Sequence, residues 1–189
     1  MHKKYLKIKF FLIFILFFNL TSYADLLSEL KDGQHVLFMR HANAPGIGDP
    51  IGFKLDDCKS QRNLDEVGRN QAIKIGAWLR AQGIKEAMIY SSPWCRCIDT
   101  ANLLNIGKVT IEQSVSSIFN DPKLENQSKN DLQQFIKYKL STRSNLPIIF
   151  VTHQVNIEAF TNQFVLSGGI LLVEVDNNGK YLTHKELIQ

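Results

Sequence analysis

The segment Val36-Leu37-Phe38-Met39-Arg40-His41-Ala42-Asn43 places an Arg-His pair directly after four consecutive apolar residues. Such an apolar run predicts a buried parallel strand, and its carboxyl end would deliver Arg40 and His41 into the crevice where open α/β sheets bind ligands. A guanidinium offers forked donors to phosphate oxygens, and a neutral imidazole nitrogen can act as a nucleophile. Because a dipeptide alone also fits an ordinary strand end, its meaning depends on what the other strands bring to the same edge.

The N-terminal segment is typical of a cleaved export signal. Residues 1–9 contain lysines and no acidic residue, and the apolar run that follows at residues 10–20 is too short to span a bilayer. Ser22-Tyr23-Ala24 supplies small residues at the two positions that signal peptidase reads. We therefore predict a signal peptide at residues 1–24 and a periplasmic or secreted mature chain at residues 25–189. An uncleaved membrane anchor is the alternative.

Removal of the leader changes the interpretation of the charge. The full chain carries a net charge of +4, and the lysines of the leader account for it. The mature chain is therefore close to neutral and has no basic patch with interleaved aromatic residues, which argues against nucleic acid as a partner. We also expect no membrane partner after cleavage. The length predicts one domain with a full hydrophobic core.

Cys58, Cys95 and Cys97 are the cysteines of the chain. Cysteines of exported proteins tend to pair, and two cysteines separated by one residue cannot easily bridge each other within a helical turn. We therefore predict a disulfide between Cys58 and one of the other two, and favour Cys97. A zinc site built from the cysteines and a histidine is the alternative, although no pair of ligands has the usual spacer.

Periodicity and chain-breaking residues predict alternating strands and helices. Helices are predicted at residues 26–30, 66–82, 93–104 and 128–140, with a further short helix after residue 153. Strands are predicted at residues 36–39, 87–91, 109–111, 147–152, 170–175 and 181–186. This order predicts an α/β three-layer sandwich with a largely parallel central sheet and helices on both faces. The long loop at residues 43–63 is expected to be functional.

Local signals define the helices in more detail. Asp65 is expected to cap the helix at 66–82, and Ile73, Ala77 and Trp78 are predicted to form its inward side. Ser92 is expected to cap the helix opened by Pro93.

Three sites can converge at the carboxyl edge of this sheet. Arg40 and His41 follow one strand, His153 follows another, and Arg96 lies in the first turn of the helix after a third. Two guanidiniums, two imidazoles and a helix N-terminus all favour an anion. The sequence therefore predicts a site that handles phosphoryl groups.

The chain contains four motifs whose order is typical of a known protein family. They are Arg40-His41-Ala42, the segment NLDEVGRNQA at residues 63–72, the segment SSPWCRCIDTA at residues 91–101, and Val151-Thr152-His153. Together they resemble the histidine phosphatase superfamily, with its phosphoglycerate mutase-like fold, over about residues 36–175.

The resemblance implies that His41 is the nucleophile and forms a phosphohistidine that water hydrolyses. It further implies that Arg40, Arg96 and His153 hold the phosphoryl oxygens, and that neither a metal nor another cofactor is required. His41 must then present a neutral nitrogen, with its other N–H held by a backbone carbonyl or a similar acceptor. Nearby positive groups are expected to keep it unprotonated.

The chain departs from the family pattern around the phosphate. Ala42 stands where glycine is commonest, and Ile47 stands where the mutase branch tends to place a phosphate-contacting asparagine. Asn43 and Arg62 are candidates for that missing contact, and the backbone N–H of Gln154 is a further candidate phosphate ligand.

No clear acidic motif supplies a proton to the leaving group. Asp121 lies in the right interval of the chain and is the candidate proton donor, with Glu125 as second choice.

Two functions follow from these observations. The first is an exported phosphomonoesterase of the histidine acid phosphatase type, acting on a small phosphorylated substrate such as an envelope sugar phosphate. The loop at residues 43–63 is expected to select that substrate. The second is a catalytically weak or inactive module of the same fold that binds a phosphate ligand.

Overall fold

The computed structural model describes residues 26–142 and 145–188, so the predicted signal peptide at 1–24 lies outside the described residues. In this part of the chain, no helix is both long and apolar enough to cross a bilayer.

Strands and helices alternate along most of the described chain. The strands are β1 (His35–Arg40), β2 (Met88–Ser91), β3 (Val109–Ile111), β4 (Ile148–Thr152), β5 (Ile170–Val175) and β6 (Tyr181–Ile188). The α-helices are α1 (Leu26–Glu29), α2 (Glu66–Ala81), α3 (Cys95–Leu104), α4 (Glu125–Thr142) and α5 (Gln154–Thr161). Short 3-10 turns cover Cys58–Ser60, Gln113–Val115 and Pro122–Leu124.

The strands form a six-stranded sheet in the order β3-β2-β4-β1-β5-β6. The pairs β2–β3, β2–β4 and β1–β4 are parallel, whereas β5 runs antiparallel to both β1 and β6. The largely parallel sheet predicted from the sequence is confirmed, with an antiparallel hairpin at one edge.

Alternate residues of β1 face opposite helical layers. Leu37 and Met39 belong to one core cluster, together with buried residues of α2 and α3. Val36 and Phe38 belong to a second cluster, which includes buried residues of α4 and α5. Because successive side chains of a strand point to opposite faces, a continuous apolar run is what a strand buried on both faces requires. The predicted three-layer sandwich is therefore confirmed.

Helix α2 begins as predicted but presents a different face to the core. The Asp65 carboxylate accepts a hydrogen bond from the Gly68 amide at 2.7 Å and caps the helix. The prediction that Ile73 and Ala77 face inward is wrong, because both are exposed and the buried face includes Ile75.

Gly68 brings α2 close to the loop that follows β1. A Cβ added at this position would lie 1.9 Å from the carbonyl oxygen of Asn43, so no larger residue fits without displacing the backbone. This contact fixes the chain immediately after His41.

Candidate active site

A cavity of about 350 Å³ contains the basic side chains that the sequence singled out. His41, His153, Arg40 and Arg96 all line it, and Arg62 joins them from the long loop. We call these five residues the basic floor of the cavity. The predicted convergence of separate chain segments is therefore present in the structure.

The pairing of β1 with β4 brings the two imidazoles together. Arg40 is in register with Thr152, and the His41 amide donates to the Thr152 carbonyl at 2.9 Å. His41 and His153 therefore follow neighbouring parallel strands at the same level. Their ring centroids are 5.5 Å apart with an interplanar angle of 69°.

His41 presents a neutral ring to the cavity. Its Nδ1 lies 2.8 Å from the Ala42 carbonyl oxygen, so this nitrogen carries the proton and donates, leaving Nε2 with a free lone pair. Burial lowers the pKa of His41 to about 3; the hydrogen bond to Ala42 opposes this shift, and three guanidiniums add to it. The sequence predicted the effect of the positive groups but not the larger effect of burial.

His153 is a second buried, neutral imidazole. Its Nδ1 lies 3.4 Å from Nη2 of Arg96, which can only donate, so Nε2 carries the proton and donates to the Ser92 hydroxyl at 2.8 Å. Burial, then the neighbouring His41 ring and the nearby guanidiniums, hold the pKa of His153 well below its ordinary value. The prediction that Ser92 caps α3 is wrong, because Trp94 is the cap residue.

Arg40 and Arg62 are held by backbone carbonyls. Nη1 of Arg40 donates to the Val165 carbonyl at 3.0 Å, while its buried Nε has no partner among the described residues. Nε of Arg62 donates to the Gly48 carbonyl at 2.7 Å, and its Nη1 donates to that of Ala44. Carbonyl acceptors orient the guanidiniums without neutralising them, so both charges remain available to an anion.

Asp49 is a site residue that the sequence analysis missed. Its carboxylate accepts from Nη1 of Arg96 at 2.8 Å, from the Arg62 amide at 3.0 Å and from Nε1 of Trp94 at 3.0 Å. Burial alone would raise the pKa of Asp49, but these hydrogen bonds and the Arg96 charge hold it below its ordinary value. The three guanidiniums of the basic floor thus have one neighbouring carboxylate, which pairs with Arg96, and the site keeps a net positive charge.

The disulfide joins Cys58 to Cys95, with a Cα–Cα distance of 5.7 Å. The prediction that Cys58 pairs is confirmed, but the preference for Cys97 is wrong. α3 begins at Cys95, and helical residues two positions apart point in directions about 200° apart. Cys97 therefore points toward the sheet, whereas Cys95 points toward the loop. Its buried thiol lies 3.5 Å from Nε2 of His153, and burial raises the pKa of Cys97 to about 12.

This disulfide ties the long loop to the start of α3, beside Arg96. It also removes the zinc alternative, because two of the three thiols are bonded to each other.

The other candidate phosphate ligands divide into two groups. Arg62 and Gln154 line the cavity, and Gln154 is the first residue of α5, where helix amides lack intrahelical partners. Asn43 does not line the cavity. Its side-chain amide instead donates to both carboxylate oxygens of Asp65, at 3.1 and 3.2 Å. The candidate phosphate contact from Asn43 is therefore wrong in this structure.

Neither candidate proton donor reaches the cavity. Asp121 accepts from the Lys123 amide at 3.3 Å and caps a 3-10 turn, and Glu125 lines a separate surface depression. Among the described residues, none of those that line the cavity is Asp or Glu. The structure therefore contradicts the placement of Asp121 at the reacting centre.

A larger groove, of about 920 Å³, shares Arg40 with the cavity. Its lining within the described chain contains no histidine and one guanidinium, so the smaller cavity has the chemistry expected of a phosphoryl site.

Together the fold and the cavity define a class of protein: an α/β sandwich that presents two neutral imidazoles and three guanidiniums to an anion. A family model described as the histidine phosphatase superfamily (branch 1) matches residues 36–128. Over this part of the chain the sequence is therefore similar to the histidine phosphatase superfamily.

Solved structures share the fold at low sequence identity. A mycobacterial glucosyl-3-phosphoglycerate phosphatase is 13% identical with a TM-score of 0.59, and the alignment covers 82% of this chain and 97% of that one. A phosphoserine phosphatase from Entamoeba histolytica is 14% identical with a TM-score of 0.59, covering 82% and 97%. The protein histidine phosphatase SixA, complexed with tungstate, is 12% identical with a TM-score of 0.54, covering 82% and 96%. These likenesses show the phosphoglycerate mutase-like fold, and no curated protein sequence matches the chain.

The low pKa of His41 has a measurable effect on stability. The pKa of His41 is about 3 in the folded protein and near 6.5 in the unfolded chain. Between these two pH values, His41 therefore binds a proton in the unfolded chain but not in the folded protein. Stability is therefore lost as the pH falls below about 6.5, and at pH 5 this residue alone should cost about 2 kcal/mol.

We expect His41→Asn to reduce the difference in unfolding free energy between pH 7 and pH 5 by about that amount. Urea titrations of both proteins at the two pH values measure it. An identical pH dependence in the two proteins would show that His41 is not buried in neutral form.

Proposed function

We propose that this chain is an exported phosphomonoesterase of the histidine acid phosphatase type, with His41 as its nucleophile. The observation that carries the proposal is the unprotonated Nε2 of His41 in a cavity with three guanidiniums. Burial and the Ala42 carbonyl keep the lone pair available, while Arg40, Arg62 and Arg96 attract the phosphoryl group.

The reaction has two steps. In the first, Nε2 of His41 bonds to phosphorus as the ester P–O bond breaks, and the alcohol oxygen leaves with the bonding electrons and takes a proton from solvent. In the second, a water oxygen bonds to phosphorus as the Nε2–P bond breaks and its electrons return to His41. Inorganic phosphate leaves, and the proton lost by the water passes to solvent. The basic floor stabilises the charge on the equatorial oxygens in both steps.

The buried Nε atoms of Arg40 and Arg96 support this assignment. Neither has an acceptor among the described residues, and unpaired buried donors are rare in folded proteins. Acceptor oxygens of a phosphate ligand would satisfy such donors.

A phosphate-binding module with little turnover is the second candidate. The observation that favours it is the absence of Asp and Glu from the described lining of the cavity, since a poor leaving group departs slowly without a proton donor.

Aryl phosphates with leaving groups of decreasing pKa separate the two candidates. A phosphatase without a carboxylic acid should hydrolyse them, with a kcat/KM that rises steeply as the leaving-group pKa falls. A binding module should bind vanadate and hydrolyse none of them.

Export and substrate class are part of the same proposal. The Cys58–Cys95 disulfide supports an oxidising compartment, the periplasm or the exterior. N-terminal sequencing of protein from that compartment should begin at Asp25, and recovery of the intact leader would contradict cleavage. The solved relatives named above include phosphatases for glucosyl-3-phosphoglycerate and protein phosphohistidine, so a small phosphorylated substrate such as an envelope sugar phosphate belongs in the first panel.

A further inference from the structure

The mouth of the cavity is apolar and exposed. Ile47 from the long loop, Phe119 before α4 and Phe164 after α5 all line it, with exposed fractions of 91%, 48% and 64%. Single exposed apolar side chains are ordinary, but three from separate segments around one opening form a patch of the kind that marks a binding site. We call these three residues the apolar rim.

Polar side chains at the mouth are few, and each already makes at least one hydrogen bond. Of the lining residues in the described chain, only Ser117 and Gln154 are polar without belonging to the basic floor. The Ser117 hydroxyl accepts from the Phe119 amide at 3.3 Å. Oε1 of Gln154 accepts from the Val165 amide at 2.7 Å, and its Nε2 donates to Glu158 at 3.2 Å. A ligand rich in hydroxyl groups would thus find few free partners here.

We infer that the substrate is a phosphomonoester whose alcohol is apolar next to the phosphate, such as a long alkyl phosphate. The inference rests on the proposed function, because it assigns the phosphate to the basic floor and the alcohol to the apolar rim. The negative phosphate binds the positively charged basic floor. An apolar alcohol is preferred at the apolar rim because its binding there removes apolar surface from water. A sugar phosphate would turn its hydroxyl groups toward the apolar rim.

Octyl phosphate, ethyl phosphate and glucose 6-phosphate test this inference. All three release a primary alcohol and react slowly without a carboxylic acid, so the ratios of their rates compare recognition of the alcohol and not its quality as a leaving group. Since each fully buried methylene is worth about fourfold, burial of part of the chain should raise kcat/KM for octyl over ethyl phosphate by about tenfold or more. The concentration of octyl phosphate is kept below its critical micelle concentration. A ratio near one, or a preference for glucose 6-phosphate, would overturn the inference.

Variants of the apolar rim locate the effect. Phe164→Ser and Ile47→Ser should each lower the octyl-to-ethyl ratio several-fold. Leu182→Ser is the matched control, because Leu182 is 51% exposed on β6 and does not line the cavity. An equal loss in the control would contradict the role of the apolar rim. Far-ultraviolet circular dichroism checks the fold of each variant.

Phosphonates separate this inference from the proposed function, because they contain no cleavable ester bond. Tighter binding of octylphosphonate than ethylphosphonate without hydrolysis of any ester would contradict the phosphatase and support the ligand class. Hydrolysis with equal affinity for the two phosphonates would support the phosphatase and contradict the ligand class. Absence of both binding and hydrolysis would contradict both.

Discussion

His41→Asn is expected to lower kcat for phosphomonoester hydrolysis by about four orders of magnitude or more, because it removes the nucleophile. Asparagine keeps a polar side chain of moderate size, and the ring that it replaces is neutral, so the fold should survive. Steady-state kinetics on an aryl phosphate measure the loss, and a phosphate-induced shift in Tm shows whether the basic floor still binds an anion.

His184→Asn is the matched control for this variant. His184 bonds to the Tyr181 hydroxyl through Nδ1 at 2.8 Å in the terminal hairpin and does not line the cavity. Its replacement should leave kcat unchanged. Retention of most of the activity by His41→Asn would show that another group attacks phosphorus.

Asp49→Asn is expected to lower the free energy of unfolding by about 3 kcal/mol, since it leaves the buried Arg96 guanidinium without its counter-charge. The side chains of Arg96 and Asp49 are only 3% and 4% exposed, so water cannot replace the lost carboxylate at low cost. Urea denaturation measures the change. Inorganic phosphate should stabilise the variant more than the parent protein, because a bound anion restores the balance of charge around Arg96.

Asp57→Asn controls for the loss of a carboxylate from the same loop. Asp57 is exposed and caps a 3-10 turn by accepting from the Lys59 amide at 3.0 Å, a role that asparagine fills equally well. Asp57→Asn should change the free energy of unfolding by no more than about 0.5 kcal/mol. A similarly small effect of Asp49→Asn would mean that the ion pair with Arg96 contributes nothing to folding.

The order of strands and helices was predictable because each core strand is a continuous apolar run. The segment from Val36 to Met39 has no polar residue, which is the pattern of a strand buried on both faces. The helical faces were harder to predict. An apolar residue such as Ile73 is expected to face the core. However, α2 packs through small residues such as Gly76, where an added Cβ would lie 2.1 Å from the carbonyl oxygen of Leu104. Close backbone contact of this kind leaves little trace in hydrophobic periodicity.

The basic residues of the site could be predicted because they follow strand ends, whose position in a parallel sheet is fixed. His41 and His153 meet for that reason. Asp49 and the choice between Cys95 and Cys97 could not be predicted, since both depend on the path of the long loop. In the structure α3 begins at Cys95 instead of Pro93, and the thiol of this first residue meets the loop. The position of Asp121 could not be predicted either, because its interval in the chain does not determine where the loop places its carboxylate.

Direct detection of a phosphohistidine tests whether His41 is the nucleophile. The protein would be mixed with an activated phosphoester, quenched at alkaline pH, where phosphohistidine survives, and digested for mass spectrometry. We predict one phosphoryl group on the peptide that contains His41, formed and lost at rates that match turnover, and none in His41→Asn. Turnover without a phosphorylated peptide, or a phosphoryl group on any other residue, would contradict it.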